Sequence, residues 1–158
     1  MKKNTPQIAV IGGREESEET LNNAKEIGAL IAANGWNLVC GGLGGVMEAA
    51  CRGAFEANGL TIGILPGKYR RTANRWVKVP IATGIDVARN SIIANTADAA
   101  IAVGGKYGTL SEIAYFLQMN KPVITLACQW DIEGTISATS PEDAIVKIEQ
   151  VIKFPPKK

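Results

Sequence analysis

The sequence predicts an α/β fold: a Rossmann-like, doubly wound, mainly parallel sheet flanked by helices, in one domain over residues 1–158. Three observations lead there. Short apolar runs alternate with stretches of helical periodicity along the chain. Glycine loops recur where a strand ends and a helix begins, at Gly12-Gly13, at Gly41-Gly42-Leu43-Gly44-Gly45 and at Gly104-Gly105. Alanine and glycine are abundant while aromatic residues make up only 6%, a balance that lets helices lie close against a sheet.

Residues 7–11 read as the first strand, closed by Gly12-Gly13. Glu15, Glu16, Glu18 and Glu19 follow, and acids suit the first turn of a helix over residues 17–33, whose stripe is Leu21, Ala24, Ile27, Gly28 and Ile31. Those acids would repel a phosphate beside them, although the other end of a ligand fits there. Residues 36–40 form a second strand, and the glycine run 41–45 leads into a helix over 46–57 with small residues on its face. Residues 60–65 and 77–82 are the third and fourth strands. Arg89 and Asn90 open a helix to about residue 95, where a cation in the first turn opposes the dipole and asks for a reason. Residues 99–103 are wholly apolar, as a strand buried on both faces requires. Asn120-Lys121-Pro122 stops the next helix, and residues 123–126 are a sixth strand. Residues 127–139 carry no clear signal. Ser140-Pro141-Glu142-Asp143 starts a last helix, with a stripe of Ala144, Ile145, Ile148, Val151 and Ile152 and an end at Pro155-Pro156.

The densest chemistry lies in AAIAVGGKYGTLSEIAYFLQM, residues 99–119. Gly104, Gly105 and Gly108 allow positive φ and close approach of a ligand, and the helix opened by Thr109 offers free N–H groups to an anion. A phosphate on the amides of residues 105–110 is the expected guest. Spacing alone favours a plainer reading, a capping box with Thr109 as N-cap and Glu112 as N3. In a doubly wound sheet ligands bind beyond the carboxyl ends of the strands. Gly12, Gly13, Gly41, Gly42, Gly44, Gly45, Arg89 and Asn90 all belong to that edge and complete the candidate nucleotide-binding set.

Composition excludes several functions. A net charge of +2, from 17 basic and 15 acidic residues, is too small to mark a nucleic acid or an anionic membrane as partner. The segment KYRRTANRW places Lys68, Arg70, Arg71 and Arg75 beside Tyr69 and Trp76, a mixture able to contact single-stranded nucleic acid. Four cations make a short patch, so the segment reads as a solvated mobile loop. No run reaches membrane-spanning length and no signal-peptide pattern opens the chain, so a cytoplasmic location is expected. Cys40, Cys51 and Cys128 lack metal or disulfide spacing and read as buried thiols. With no histidine, acid and base work falls to carboxylates, Lys or Tyr, and no metal site is expected. No carboxylate ends the second strand to hold a ribose, which disfavours NAD. No resident cofactor is expected.

GGLGGVMEAACRGA (41–54), TIGILPG (61–67), ARN (88–90) and GGKYGTLSEIAYFL (104–117), in this order, resemble the Lonely Guy (LOG) superfamily, often mislabelled lysine decarboxylases. The likeness covers residues 7–126 and is nearest to a short bacterial branch that resembles molybdenum-cofactor carrier proteins and, more distantly, the DNA-processing protein A domain. The resemblance implies a homodimer or larger homo-oligomer and an AMP-like ligand. In the hydrolase branch it implies a phosphoribohydrolase that cleaves the N-glycosidic bond of a nucleoside 5′-monophosphate, releasing base and ribose 5-phosphate. The rival reading is a non-catalytic carrier of a nucleotide or pterin phosphate. By motif, Gly104, Gly105, Gly108 and Thr109 would hold phosphate, and Arg89 and Glu112 would be the catalytic pair, Arg89 keeping Glu112 ionised. The hydrolases read PGGxGTxxE, whereas Val103 stands here in place of the proline, and Asn90 follows Arg89 where they carry lysine. No lysine sits in a pyridoxal-phosphate setting, so decarboxylation is not implied.

Overall fold

A computed structural model of the chain describes residues 5–152; Pro155-Pro156, the expected end of the last helix, lies outside them. The strands are β1 (Gln7–Gly12), β2 (Asn37–Cys40), β3 (Thr61–Leu65), β4 (Val79–Ala82), β5 (Ala99–Val103), β6 (Val123–Leu126) and β7 (Ile136–Ser137). They form one sheet in the order β4-β3-β2-β1-β5-β6-β7, with every neighbouring pair parallel. The doubly wound parallel architecture read from the sequence is the one observed.

Period-two alternation assigns the faces. Ile8 and Val10 of β1 point into a core with α1 (Glu18–Ala33), α2 (Val46–Glu56) and α5 (Pro141–Val151), while Ala9 and Ile11 point to the other face, under α3 (Arg89–Thr96) and α4 (Tyr107–Gln118). All five residues of β5 are buried, as their unbroken apolarity required. Ser17 caps α1 by accepting from the Thr20 amide, and Ser140 caps α5 through Asp143, with Pro141 at the first helical position. Between α1 and α2 the backbones nearly touch. A Cβ at Gly28 would collide with the Ala50 carbonyl, and one at Gly53 with the Lys25 carbonyl.

Two stretches differ from expectation. The unassigned residues 127–139 contain β7, whose two residues are too few to show any period. The segment expected to be a mobile loop is pinned: Arg70–Thr72 forms a 3-10 turn, Arg71 lies over Tyr69, and Arg75 lies over Trp76 at 4.8 Å. Asn74 holds it to the second glycine loop through its amide to Gly42 O and its side chain to Leu43 O, both 2.9 Å.

β1 has β2 on one side and β5 on the other, so the chain leaves these strands in opposite directions across the sheet. The loops after β1 and β5 therefore diverge at the carboxyl edge and leave a crevice at the topological switch point.

Candidate functional site

A cavity of about 380 Å³ fills that crevice. The loop after β1 contributes Gly12, Gly13, Arg14 and Glu15; α3 contributes Arg89 and Asn90; the start of α4 contributes Lys106, Gly108, Thr109 and Glu112. Met47, Pro66 and Val87 supply an apolar side.

The floor is built around Arg89. Its position in the first turn of α3 gains its reason here: the side chain is only 8% exposed and donates from Nη1 to the Ile64 carbonyl at 3.0 Å. Gly41 makes room, since a Cβ there would run into the guanidinium. Arg89 Nε is buried without a hydrogen-bond partner. An orphaned donor of this kind costs on the order of 1–3 kcal/mol.

Glu112 is also 8% exposed and lines the cavity. It is not a cap. The N-cap of α4 is Lys106, which places Thr109 third and Glu112 sixth in the helix, so the capping-box register is wrong. No hydrogen bond or ion pair to its carboxylate is formed among the described residues. Burial pushes its pKa up to about 7, against the pull of the Arg89 charge. Arg89 was expected to keep this carboxylate ionised; desolvation outweighs it. A carboxyl group poised near neutrality can take or give a proton at physiological pH.

The anion cradle is narrower than the motif suggested. Gly105 N–H donates to Glu16 Oε1 at 2.8 Å, and Leu110 N–H to the Lys106 carbonyl at 3.0 Å. The amides of Lys106, Tyr107, Gly108 and Thr109 between them have no backbone partner among the described residues. Gly104 and Gly105 have φ of +58° and +101°, as the loop requires, but Gly108 lies in ordinary helix. What Gly108 supplies is space: a Cβ there would meet no protein atom within 4 Å.

The expected residues thus divide. Gly12, Gly13, Arg89, Asn90, Gly108, Thr109 and Glu112 come together around the cavity. Gly41, Gly42, Gly44 and Gly45 lie outside its lining: Gly42, at φ +75°, turns the chain beneath Leu65, and Gly45 packs against the Gly13 carbonyl. Gly104 and Gly105 face Glu16 rather than the cavity. Sequence reasoning missed Arg14, Lys106 and Glu16. The signal was available for the first two, each being a cation next to a loop glycine.

Fold and crevice place the molecule among Rossmann-like α/β proteins with a cavity at the switch point of a parallel sheet. More narrowly, the chain belongs to the SLOG cluster4 family, whose model matches residues 5–153. A molybdenum cofactor binding protein from Rippkaea orientalis superposes with a TM-score of 0.90 at 39% identity, over 96% of this chain and 100% of that one. The molybdenum cofactor carrier protein of Chlamydomonas reinhardtii does so with a TM-score of 0.86 at 37% identity, over 93% of this chain and 98% of that one. The cytokinin riboside 5′-monophosphate phosphoribohydrolase of Mycobacterium tuberculosis is 35% identical over 116 residues, 67% of this chain and 62% of that protein's length. The kinship with LOG proteins and cofactor carriers that the motifs implied is therefore shown.

Proposed function

We propose that this protein binds a nucleoside 5′-monophosphate in the switch-point cavity and hydrolyses its N-glycosidic bond, releasing base and ribose 5-phosphate. The observation that carries the reading is the pair of buried, unpaired groups at one cavity wall: Arg89 with its orphaned Nε, and Glu112 with a pKa near 7. The phosphate sits on the amides of residues 106–109, where helix dipole and free N–H groups favour it, with Arg14 and Lys106 adding charge. The ribose then lies over Glu112. The C1′–N bond breaks, the base leaving with the bonding electron pair and taking a proton from solvent. The ionised Glu112 carboxylate stabilises the cationic C1′ and takes a proton from the water whose oxygen bonds to it, while Arg89 grips ribose or phosphate oxygens. The base lies toward Met47, Pro66 and Val87. The acceptor is water and the protein's own groups suffice for the step, so no cofactor enters.

A second reading, a carrier that holds a nucleotide or pterin phosphate without cleaving it, is favoured by a specific finding. The molybdenum-cofactor proteins match over more than nine tenths of this chain, the phosphoribohydrolase over two thirds. Val103 in place of the hydrolases' proline points the same way. Incubating the protein with AMP and assaying adenine separates the two: release supports the hydrolase, and AMP bound but intact supports the carrier. We also propose a homodimer or larger homo-oligomer acting in the cytoplasm; no described helix is long and apolar enough to cross a membrane.

A further inference from the structure

Beside the cavity, just outside its lining, stands a carboxylate placed as the expected ligand's phosphate would be. Glu16 stands just before the N-cap of α1, and its Oε1 accepts the Gly105 N–H at 2.8 Å across 89 residues of sequence. An anionic oxygen on a glycine-loop amide at a helix N-terminus is the contact a phosphate oxygen would make. The surrounding loops are shaped to this carboxylate. A Cβ at Gly13 would strike it, and a Cβ at Gly104 would come within 2.8 Å of Oε2.

Nothing else holds the carboxylate in place. Glu16 joins no ion pair among the described residues, and the Gly105 amide is its one hydrogen-bond partner there. The next amides along the chain, those of residues 106–109, have no backbone partner among the described residues, and Arg89, whose Nε is a buried orphan, lines the cavity. A phosphate seated on those amides would bring its charge against the Glu16 carboxylate, and that repulsion falls away only if the carboxylate leaves.

We propose that Glu16 is a resting anion on the Gly105 amide, next to the cradle of residues 106–109, and is displaced from Gly105 when a phosphate group binds. The proposal rests on the reading of the cavity as a phosphate-ligand site and adds its regulation. Binding is an exchange of one anion for another, so the affinity seen is lower than the cradle alone would give. Occupation by an internal carboxylate also keeps the glycine loop in its ligand-ready shape while the site is empty.

The test is titration of inorganic phosphate, and separately of AMP, into ¹⁵N-labelled wild type, Glu16→Ala, Glu16→Gln and Glu18→Gln, following the Gly105 amide resonance. Glu16→Ala and Glu16→Gln should bind phosphate about tenfold more tightly than wild type, the scale of one lost charge-assisted hydrogen bond. Glu18→Gln removes the same charge from exposed helix surface and should stay within about twofold of wild type. In wild type the Gly105 amide should shift on phosphate binding, reporting its change of partner. Equal or weaker binding by both Glu16 variants would overturn the proposal, as would an equal gain in Glu18→Gln, which would reduce the effect to net charge. The two readings fail separately. Tighter phosphate binding in Glu16→Ala with no base released from AMP removes the hydrolase and keeps the role of Glu16. Base release with the same AMP dependence in wild type and Glu16→Ala removes the role of Glu16 alone.

Discussion

Glu112 is where the chemistry is concentrated, and its burial gives two opposed signatures for one substitution. Burial lifts its pKa in the folded chain from the ordinary 4.5 to about 7, so the native state holds an extra proton between those values. Stability from this group is therefore intact below pH 4.5 and is lost as pH rises through 7, by up to roughly 3 kcal/mol. Glu112→Gln should accordingly melt higher than wild type at pH 8, with the advantage gone below pH 4.5. In the same variant, base release from AMP should fall about 100-fold or more, because no carboxylate remains to meet the ribose charge. A cap would give the reverse, lower stability with unchanged turnover. Gly41→Ala should act on Arg89 by direct collision, pushing its guanidinium from the Ile64 carbonyl and weakening AMP binding measured by calorimetry. Arg89 was legible as a residue out of place at a helix start; Glu112 was legible only by resemblance, since local spacing pointed to a cap. Glu16 could not be found from sequence, because its partner lies 89 residues away.

At the scale of elements, the glycine loops look alike in sequence and do different work. The loop at 104–105 feeds the cradle, while the loop at 41–45 supports Arg89 and seats the segment around Asn74. Gly105→Val should remove AMP affinity, since its φ of +101° is strained for any Cβ and the new side chain would strike Thr109. The α1–α2 contact offers a contrast. Gly53→Ala forces a methyl against the Lys25 carbonyl and should lower stability by about 1–3 kcal/mol in urea titration. Its AMP affinity should persist in the folded fraction. Strand and helix identities were legible because apolar runs of the right length stand between glycine loops. β7 was not, and nor was Lys121: its Nζ donates to the carbonyls of Ala94, Asn95 and Ala97, closing the end of α3 from the loop after α4.

For the whole molecule, the strand order decides where the site lies, and the uneven covering of the sheet decides what stays open. The Ala-rich face of α2 is not free for an oligomer contact, because α1 already covers it: Ala50, Gly53 and Ala54 are buried. Apolar surface remains instead on the α3 and α4 side, at Val79, Ile81, Ile85 and Val87, the last 80% exposed. Light scattering at micromolar concentration should give a dimer or larger, and Ile81→Lys should shift it toward monomer; a monomeric wild type would remove the oligomer from the account. In the proposed complex, phosphate and ribose lie between the start of α4 and Arg89. The most direct measurement is a crystal structure of the Glu112→Gln variant soaked with AMP. Phosphate oxygens should lie on the amides of residues 106–109, with the ribose facing residue 112. AMP seated on the Gly41 to Gly45 loop, or anywhere outside this cavity, would contradict this placement.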